Sequence, residues 1–208
     1  MKAFILQAGF AAALLLSAPL FAQSNVNNNP TLAPAGRYRV IRDHTQIMFS
    51  VLHLGLSPYY GRIAGATGTL NFTPLDPSRS GVAIEIDPSS ASTTTAILNR
   101  ELCSASVFNC AKFSKIGFKS TSVTKTGDNT GDIAGDLTIA GVTKPVTLHA
   151  TFHGGMQGPL GQDNYQLGFS AETVVKRSDF GLTKMIWAPT VADEVKLLIE
   201  AEFEQDHR

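Results

Sequence analysis

Val195-Lys-Leu-Leu-Ile-Glu-Ala-Glu-Phe-Glu204 places Val195, Leu197, Ile199, Ala201 and Phe203 at every second position, opposed by Lys196, Glu200, Glu202 and Glu204. Successive side chains of a strand point to opposite faces, so this run predicts a strand with one packed and one wet side, the habit of antiparallel sheet. The same period recurs along the chain. Ile47, Phe49, Val51 and His53 oppose Met48, Ser50 and Leu52; Val82, Ile84 and Ile86 oppose Ala83, Glu85 and Asp87. Ile133, Leu137 and Ile139 oppose Asp132, Asp136 and Thr138; Val146, Leu148, Ala150 and Phe152 oppose Thr147, His149 and Thr151. Leu70 with Phe72, Ile116 with Phe118, and Tyr165, Leu167, Phe169 and Ala171 add further sets. Turn residues separate the runs: Pro74-Leu-Asp-Pro77, Thr126-Gly-Asp-Asn-Thr-Gly131, Ala140-Gly141 and Gly154-Gly155, where Gly permits positive φ and Asn or Asp tolerates it. The main helical candidate is 93–105, with Thr94 or Thr95 as its cap. About eight strands and one short helix fit either a sandwich or a closed barrel. Closure removes exposed edges, and an eight-stranded barrel can hold one small ligand. Alternation alone does not choose between them.

Upstream of the strands the chain changes character. Residues 1–22 combine Lys2, an apolar run centred on 11–16, and a small-residue exit at Ala22. Those are the three parts of a secretory signal peptide, and the apolar core is shorter than the roughly 20 residues of a membrane span. No later segment is apolar enough to cross a bilayer, so the expected product is an exported protein with no integral membrane segment. Residues 23–36, QSNVNNNPTLAPAG, read as a flexible linker outside the core. The remainder, 37–205, is one domain's worth of chain. With 17 basic and 17 acidic residues, the charge balance recruits neither nucleic acid nor an anionic surface. Twelve Phe and a charged fraction of 16% point to an unusually apolar interior. The sequence leaves a homodimer open.

Catalytic and metal signatures are missing. His149 and His153 have i, i+4 spacing, but a strand separates such rings by about 13 Å, so they read as surface histidines and not as a zinc pair. There is no Gly-x-Ser-x-Gly elbow and no phosphate-cradling Gly-rich loop. Two polar clusters remain. Asp43-His44-Thr45 reads as a strand entry held by local hydrogen bonds, and Arg177-Ser-Asp-Phe-Gly181 as a structural Arg–Asp neighbourhood. The functional alternatives are an enzyme using His44 with Asp43 or Arg177 with Asp179, or Arg177 as a planar fork for a ligand head. Cys103 and Cys110 are the two cysteines. In continuous helix their Cα atoms would lie about 10 Å apart, beyond the roughly 7 Å limit for a bridge. A disulfide, favoured in an exported chain, therefore needs the helix to break between them; two buried free thiols are the other reading.

Asp43-His44-Thr45-Gln-Ile47-x-Phe49-x-Val51-x-His53-Leu-Gly55, Gly68-Thr-Leu-Asn-Phe72, Asp76-Pro77 and the segment 82–95 occur in that order. Arg100-Glu101, Phe108, Lys112-Phe113 and Ile116-Gly-Phe118 follow. Gly135-Asp-Leu-Thr-Ile-Ala-Gly-Val-Thr-Lys-Pro-Val-Thr-Leu148, Arg177-Ser-Asp-Phe-Gly181 and Asp193-Glu194-Val195 complete the series. This ordered set resembles the YceI-like lipid/polyisoprenoid-binding proteins over roughly 38–204. Glu101 where the family tends to carry Asp, Ser114 in place of its usual Pro, and the two cysteines are departures, all in the helix-and-loop region.

The resemblance implies an all-β, elongated, eight-stranded antiparallel lipocalin-like barrel with one short helix, located in the periplasm. It implies a long-chain isoprenoid, a quinone or another amphiphilic lipid as partner in the pore, with no known catalytic reaction and no cofactor. The apolar faces nominate Phe49, Val51, Phe72, Ile84, Phe108, Phe118, Leu148, Phe152, Phe169 and Trp187 as pore lining. His53 and Arg177 are the candidates for its polar end. A filled core with a structural or stress-response role is the reading without a ligand.

Overall fold

In the computed structural model, residues 25–158 and 164–207 are described; the expected signal peptide, 1–22, lies outside the described residues. The alternating runs form β1 (Gly36–Val40), β2 (Gln46–His53), β3 (Ser57–Ile63), β4 (Thr67–Phe72), β5 (Gly81–Ile86), β6 (Ile116–Lys125), β7 (Thr130–Ile139), β8 (Val142–Gln157), β9 (Tyr165–Lys176) and β10 (Val191–Gln205). Among the described residues one α-helix, α1, spans Ala96–Leu102.

The ten segments make eight staves. β10 pairs along one edge with β9. Its other edge is shared: Val40 faces Phe203 on β1, while Ile47, Phe49 and Val51 face Ile199, Leu197 and Val195 on β2. β1 and β2 are thus one interrupted stave, and β4 and β3 lie beyond them in the same way. From β4 the sheet runs through β5, β6, β7, β8 and β9 to β10, and β1 closes it. Closure satisfies the backbone groups that an open sheet leaves at its edges. The barrel is the architecture the resemblance implied, and it excludes the sandwich.

Asp43-His44-Thr45 occupies the joint between β1 and β2, within a 3-10 turn at Arg42–His44. Ile41 N–H donates to Glu202 O at 2.8 Å, and Glu202 N–H donates to the buried Thr45 Oγ1 at 3.4 Å. His44 Nδ1 lies 2.7 Å from Glu202 Oε2, so its partner is Glu202 on β10 and not Asp43. The cluster is a splice where β10 changes neighbours.

Gly154-Gly155 falls inside β8, not in a turn. The register shifts between Phe152 and Gly154, and glycine within a strand marks a bulge or a close backbone approach. Here the approaching chain is the amino-terminal segment. Asn27 and Gly155 exchange two backbone hydrogen bonds of 2.9 Å, and a Cβ on Gly154 would stand 2.3 Å from Val26 Cγ1. Ala33 is buried, and the fully buried Tyr38 donates its hydroxyl to Pro34 O at 2.7 Å. From residue 25 onward the expected linker is therefore strapped across the barrel. Its low apolar content concealed a docking that relies on backbone pairing.

α1 is shorter than the predicted 93–105. Thr95 Oγ1 caps it by accepting from Leu98 N, and the helix stops at Leu102. The chain then folds back, with Phe108 N–H donating to Leu102 O and Cys110 N–H to Cys103 O. Asn109 takes φ 50° in that return, and Asn is one of the few side chains at ease there. The Cα atoms of Cys103 and Cys110 are thereby brought to 5.0 Å and bridged.

Candidate functional site

The inward rows of the barrel do not meet. They enclose a cavity of about 260 Å³ whose free wall is carbon, just under the usual ~300–1,000 Å³ range of small-molecule pockets. Two sequence features keep it open. The first is size: Ala150 on β8 and Ala171 on β9 are register partners, and both face the cavity. The second is a pair of aromatic rings laid flat against glycines. A Cβ on Gly61 would stand 2.2 Å from Phe49 Cζ, and one on Gly135 would stand 2.5 Å from Phe118 Cζ. Without a side chain at Gly61 and Gly135, each ring covers backbone and leaves the bore clear.

The floor is aromatic. Phe72 stacks on Phe152 with centroids 6.2 Å apart, Phe169 meets Phe152 at 5.2 Å, and Phe203 closes edge-on against Phe169 at 5.9 Å. Offset and edge-on contacts are the favoured ring geometries. The roof comes from outside the strands: Leu102 at the end of α1, Val107 and Phe108 after it, and Phe180, Leu182, Met185 and Trp187 between β9 and β10. Along β10 the inward row from Val195 to Phe203 spans eight residues, about 27 Å of strand at ~3.4 Å per residue. A tilt of ~35–45° shortens that to about 20 Å along the barrel axis. The space is narrow and long.

Of the residues nominated from sequence, Phe49, Val51, Ile84, Phe108, Phe118, Leu148, Phe169, Arg177 and Trp187 line the cavity. Phe72 and Phe152 do not; they lie beneath it in the aromatic floor. His53 does not reach it either. It ends β2 on the exposed rim, paired in register with Val191; Val51 is the last residue of that alternating set to line the bore. Ile47 and Val82, from the same alternating sets, also line the wall, as do Val40 of β1 and Ile63 of β3, which those sets do not include. Met185 and Leu182 were not legible, because nothing in a loop's sequence announces that it folds inward.

Arg177 reaches the roof but has no free donor for a ligand head. Its Nη1 donates to Leu182 O at 2.8 Å and to Met185 Sδ at 3.8 Å, its Nη2 to Ala188 O at 2.9 Å and Val191 O at 3.3 Å, and its Nε to Ala192 O at 3.1 Å. The fork therefore pins the loop that carries Met185 and Trp187, and the expected head-binding role is replaced by a positioning one. The neighbouring carboxylate that makes ordered contacts is Asp193, which accepts from Ser178 N and Ser178 Oγ at 2.9 and 2.6 Å. Those Ser178 hydrogen bonds hold its pKa below the usual carboxylate value. Glu101 accepts from Ser106 Oγ at 3.1 Å and Ser104 Oγ at 3.4 Å. His149 pairs with Asp132 at 2.8 Å on the outer surface, and His153 bonds Ser170. Among the described residues no group of three or more His, Cys, Asp or Glu is placed to hold a metal ion. One polar atom is left over in the roof: Trp187 Nε1 is buried with no hydrogen-bond partner.

A closed barrel with a greasy bore and a capped end is a shape other proteins share. The family model for the YceI-like domain matches residues 38–203. The chain belongs to the YceI-like family. Protein YceI of Salmonella arizonae is 38% identical over 172 residues, covering 82% of this chain and 87% of the relative. The YceI protein of Campylobacter jejuni superposes with a TM-score of 0.66 at 26% identity, over 74% of this chain and 90% of that one. Burkholderia cenocepacia BcnA (TM-score 0.69, 20% identity, 78% and 98% covered) and a polyisoprenoid binding domain from Saccharophagus degradans (0.63, 12%, 83% and 100%) share the fold. The family's barrel is the one seen here, with the Cys103–Cys110 bridge set into its roof.

Proposed function

We propose that this protein is an exported carrier that holds the hydrocarbon chain of a polyisoprenoid, an isoprenoid quinone or a similar amphiphilic lipid in the bore. The observation that carries the reading is the long cavity with a carbon wall. Each buried CH₂ contributes roughly 0.8 kcal/mol, so ten carbons give about 8 kcal/mol before ordering costs. No charge in the bore has to be compensated, and no catalytic group is needed. The Saccharophagus degradans domain with the same barrel is described as binding polyisoprenoid. The family relationship, the signal-like start of the chain and a disulfide suited to an oxidising compartment support export to the periplasm.

The head of the ligand sits at the roof in this reading. With Arg177 committed to carbonyls, the free donor there is Trp187 Nε1, and leaving it unpaired costs about 1–3 kcal/mol. A ligand oxygen would relieve that cost after a small movement of the indole. The polar pairs considered for catalysis are spoken for: His44 by Glu202, Arg177 by the loop it pins. The filled-core reading conflicts with the open bore.

Trp187 is the single tryptophan, so its fluorescence reports occupancy of the roof. Titration with a polyprenol or an isoprenoid quinone is expected to change that emission to saturation at one ligand per chain. Ala171→Phe, which fills the bore opposite Ala150, is expected to abolish the change while the barrel stays folded. A wild-type protein that shows no saturable response to either ligand contradicts the proposal.

A further inference from the structure

The roofed end of the barrel is built from three segments that are tied together. Leu54 N–H donates to Thr190 O at 2.7 Å, joining the β2–β3 hairpin to the loop before β10. Tyr59 Oη lies 2.7 Å from Thr94 Oγ1, joining β3 to the start of α1. Each of the three presents apolar side chains to solvent. Leu54 and Leu56 are 58% and 82% exposed, Ile186 is 91% exposed, and Ile97 on α1 is 74% exposed. Leu54 is held outward at φ 52°, followed by Gly55 at φ 71°. A leucine rarely adopts that backbone conformation, and here it turns the side chain out of the core. Scattered surface leucines need no explanation, but apolar tips gathered on adjoining loops do.

The hairpin and the tip of the loop carry cations and no acids of their own. Residues 46–64 and 180–192 contain no Asp or Glu, and of the acids that flank the second segment, Asp179, Asp193 and Glu194, Asp193 is engaged by Ser178. Lys184 is exposed in the loop beside Ile186, and Arg100 follows Ile97 at i+3 on α1. The nearby acid on α1, Glu101, is turned to Ser104 and Ser106. Apolar tips with exposed cations beside them are the chemistry of a surface that enters the interface of an anionic bilayer.

We propose that this rim docks on an anionic lipid bilayer, with Leu54, Leu56, Ile186 and Ile97 inserting and Lys184 and Arg100 meeting lipid phosphates. The inference rests on the carrier reading for its purpose, since a mouth pressed to the membrane lets a lipid chain enter the bore without crossing water. Its test is separate from that reading.

Co-sedimentation of the protein with vesicles of phosphatidylethanolamine and phosphatidylglycerol, compared with phosphatidylcholine alone, measures the docking. The protein is expected to pellet with the anionic vesicles, and Leu56→Asp and Ile186→Asp are each expected to weaken partition about tenfold. Lys184→Glu is expected to weaken binding to the anionic vesicles about fivefold and leave phosphatidylcholine binding unchanged. Because these side chains are exposed, melting temperatures should not move, and uptake of a polyprenol from detergent micelles should persist in Leu56→Asp and Ile186→Asp. A wild-type protein that stays in the supernatant with both vesicles overturns the inference, as do variants that pellet like wild type. Failure of micellar uptake in the wild type would instead count against the carrier reading and leave vesicle docking to stand on its own result.

Discussion

Tyr38 shows how one side chain joins two parts of the molecule. It is fully buried, and its hydroxyl binds Pro34 O in the amino-terminal strap. Burial, with a smaller contribution from Tyr165, pushes its pKa up to about 12. A group whose folded pKa lies above its unfolded value near 10 stabilises the fold fully below pH 10. That stability is lost as the pH rises toward 12, so alkaline unfolding is expected in that window, with about 2–3 kcal/mol at stake. Phenolate absorbance should show Tyr59 ionising before Tyr38, because hydrogen bonds to Thr94 and Thr93 lower the pKa of Tyr59. Tyr38→Phe should cost about 1 kcal/mol in denaturant melts by leaving Pro34 O unsatisfied. Arg177 is a comparable hub. Arg177→Lys keeps the charge but cannot reach four carbonyls, and a loss of about 3 kcal/mol with a red-shifted Trp187 emission is the expected outcome. The sequence named Arg177 as a site residue but suggested the wrong partner. Its ligands are backbone oxygens of residues 182–192, and backbone oxygens carry no sequence signature.

Elements divide into those the period reveals and those it does not. β10 and β2 were plain because each needs one apolar face, and a shift of one residue would turn that face to water. β3, Ser57-Pro-Tyr-Tyr-Gly-Arg-Ile63, shows no such period because Gly61 stands where an inward side chain would be, under the ring of Phe49. The roof was the least legible region. α1 lost its last turn to the Cys103–Cys110 return, where backbone hydrogen bonds set the bridging distance. Closing so short a loop in the unfolded chain lowers its entropy by an amount equivalent to about 2.5 kcal/mol. Cys103→Ser with Cys110→Ser should therefore lower stability by that order in chemical denaturation, and weaken ligand retention more than it weakens the strands. Normal retention in the double variant would separate the bridge from the roof's function.

At the scale of the whole molecule, closure and emptiness are linked. Eight staves form the wall, an aromatic cluster seals one end, and loops pinned by Arg177 and the disulfide cap the other. Closure follows from pairing along the strand edges, and the alternating faces alone did not decide it. The bore follows from Ala150, Ala171, Gly61 and Gly135, small residues among large ones. A barrel that keeps such a space with a carbon wall forgoes packing contacts unless something fills it. Ligand bound to the folded state alone should raise stability by about 2.7 kcal/mol at a hundredfold excess over Kd, visible as a rise in Tm with added polyprenol that Ala171→Phe lacks. Native mass spectrometry of protein purified without detergent tests the central claim most directly. The account expects a species heavier than the chain by one amphiphilic lipid, released into organic solvent and absent from Ala171→Phe. A bare chain in every preparation, which also fails to take up polyprenol or quinone, would contradict it.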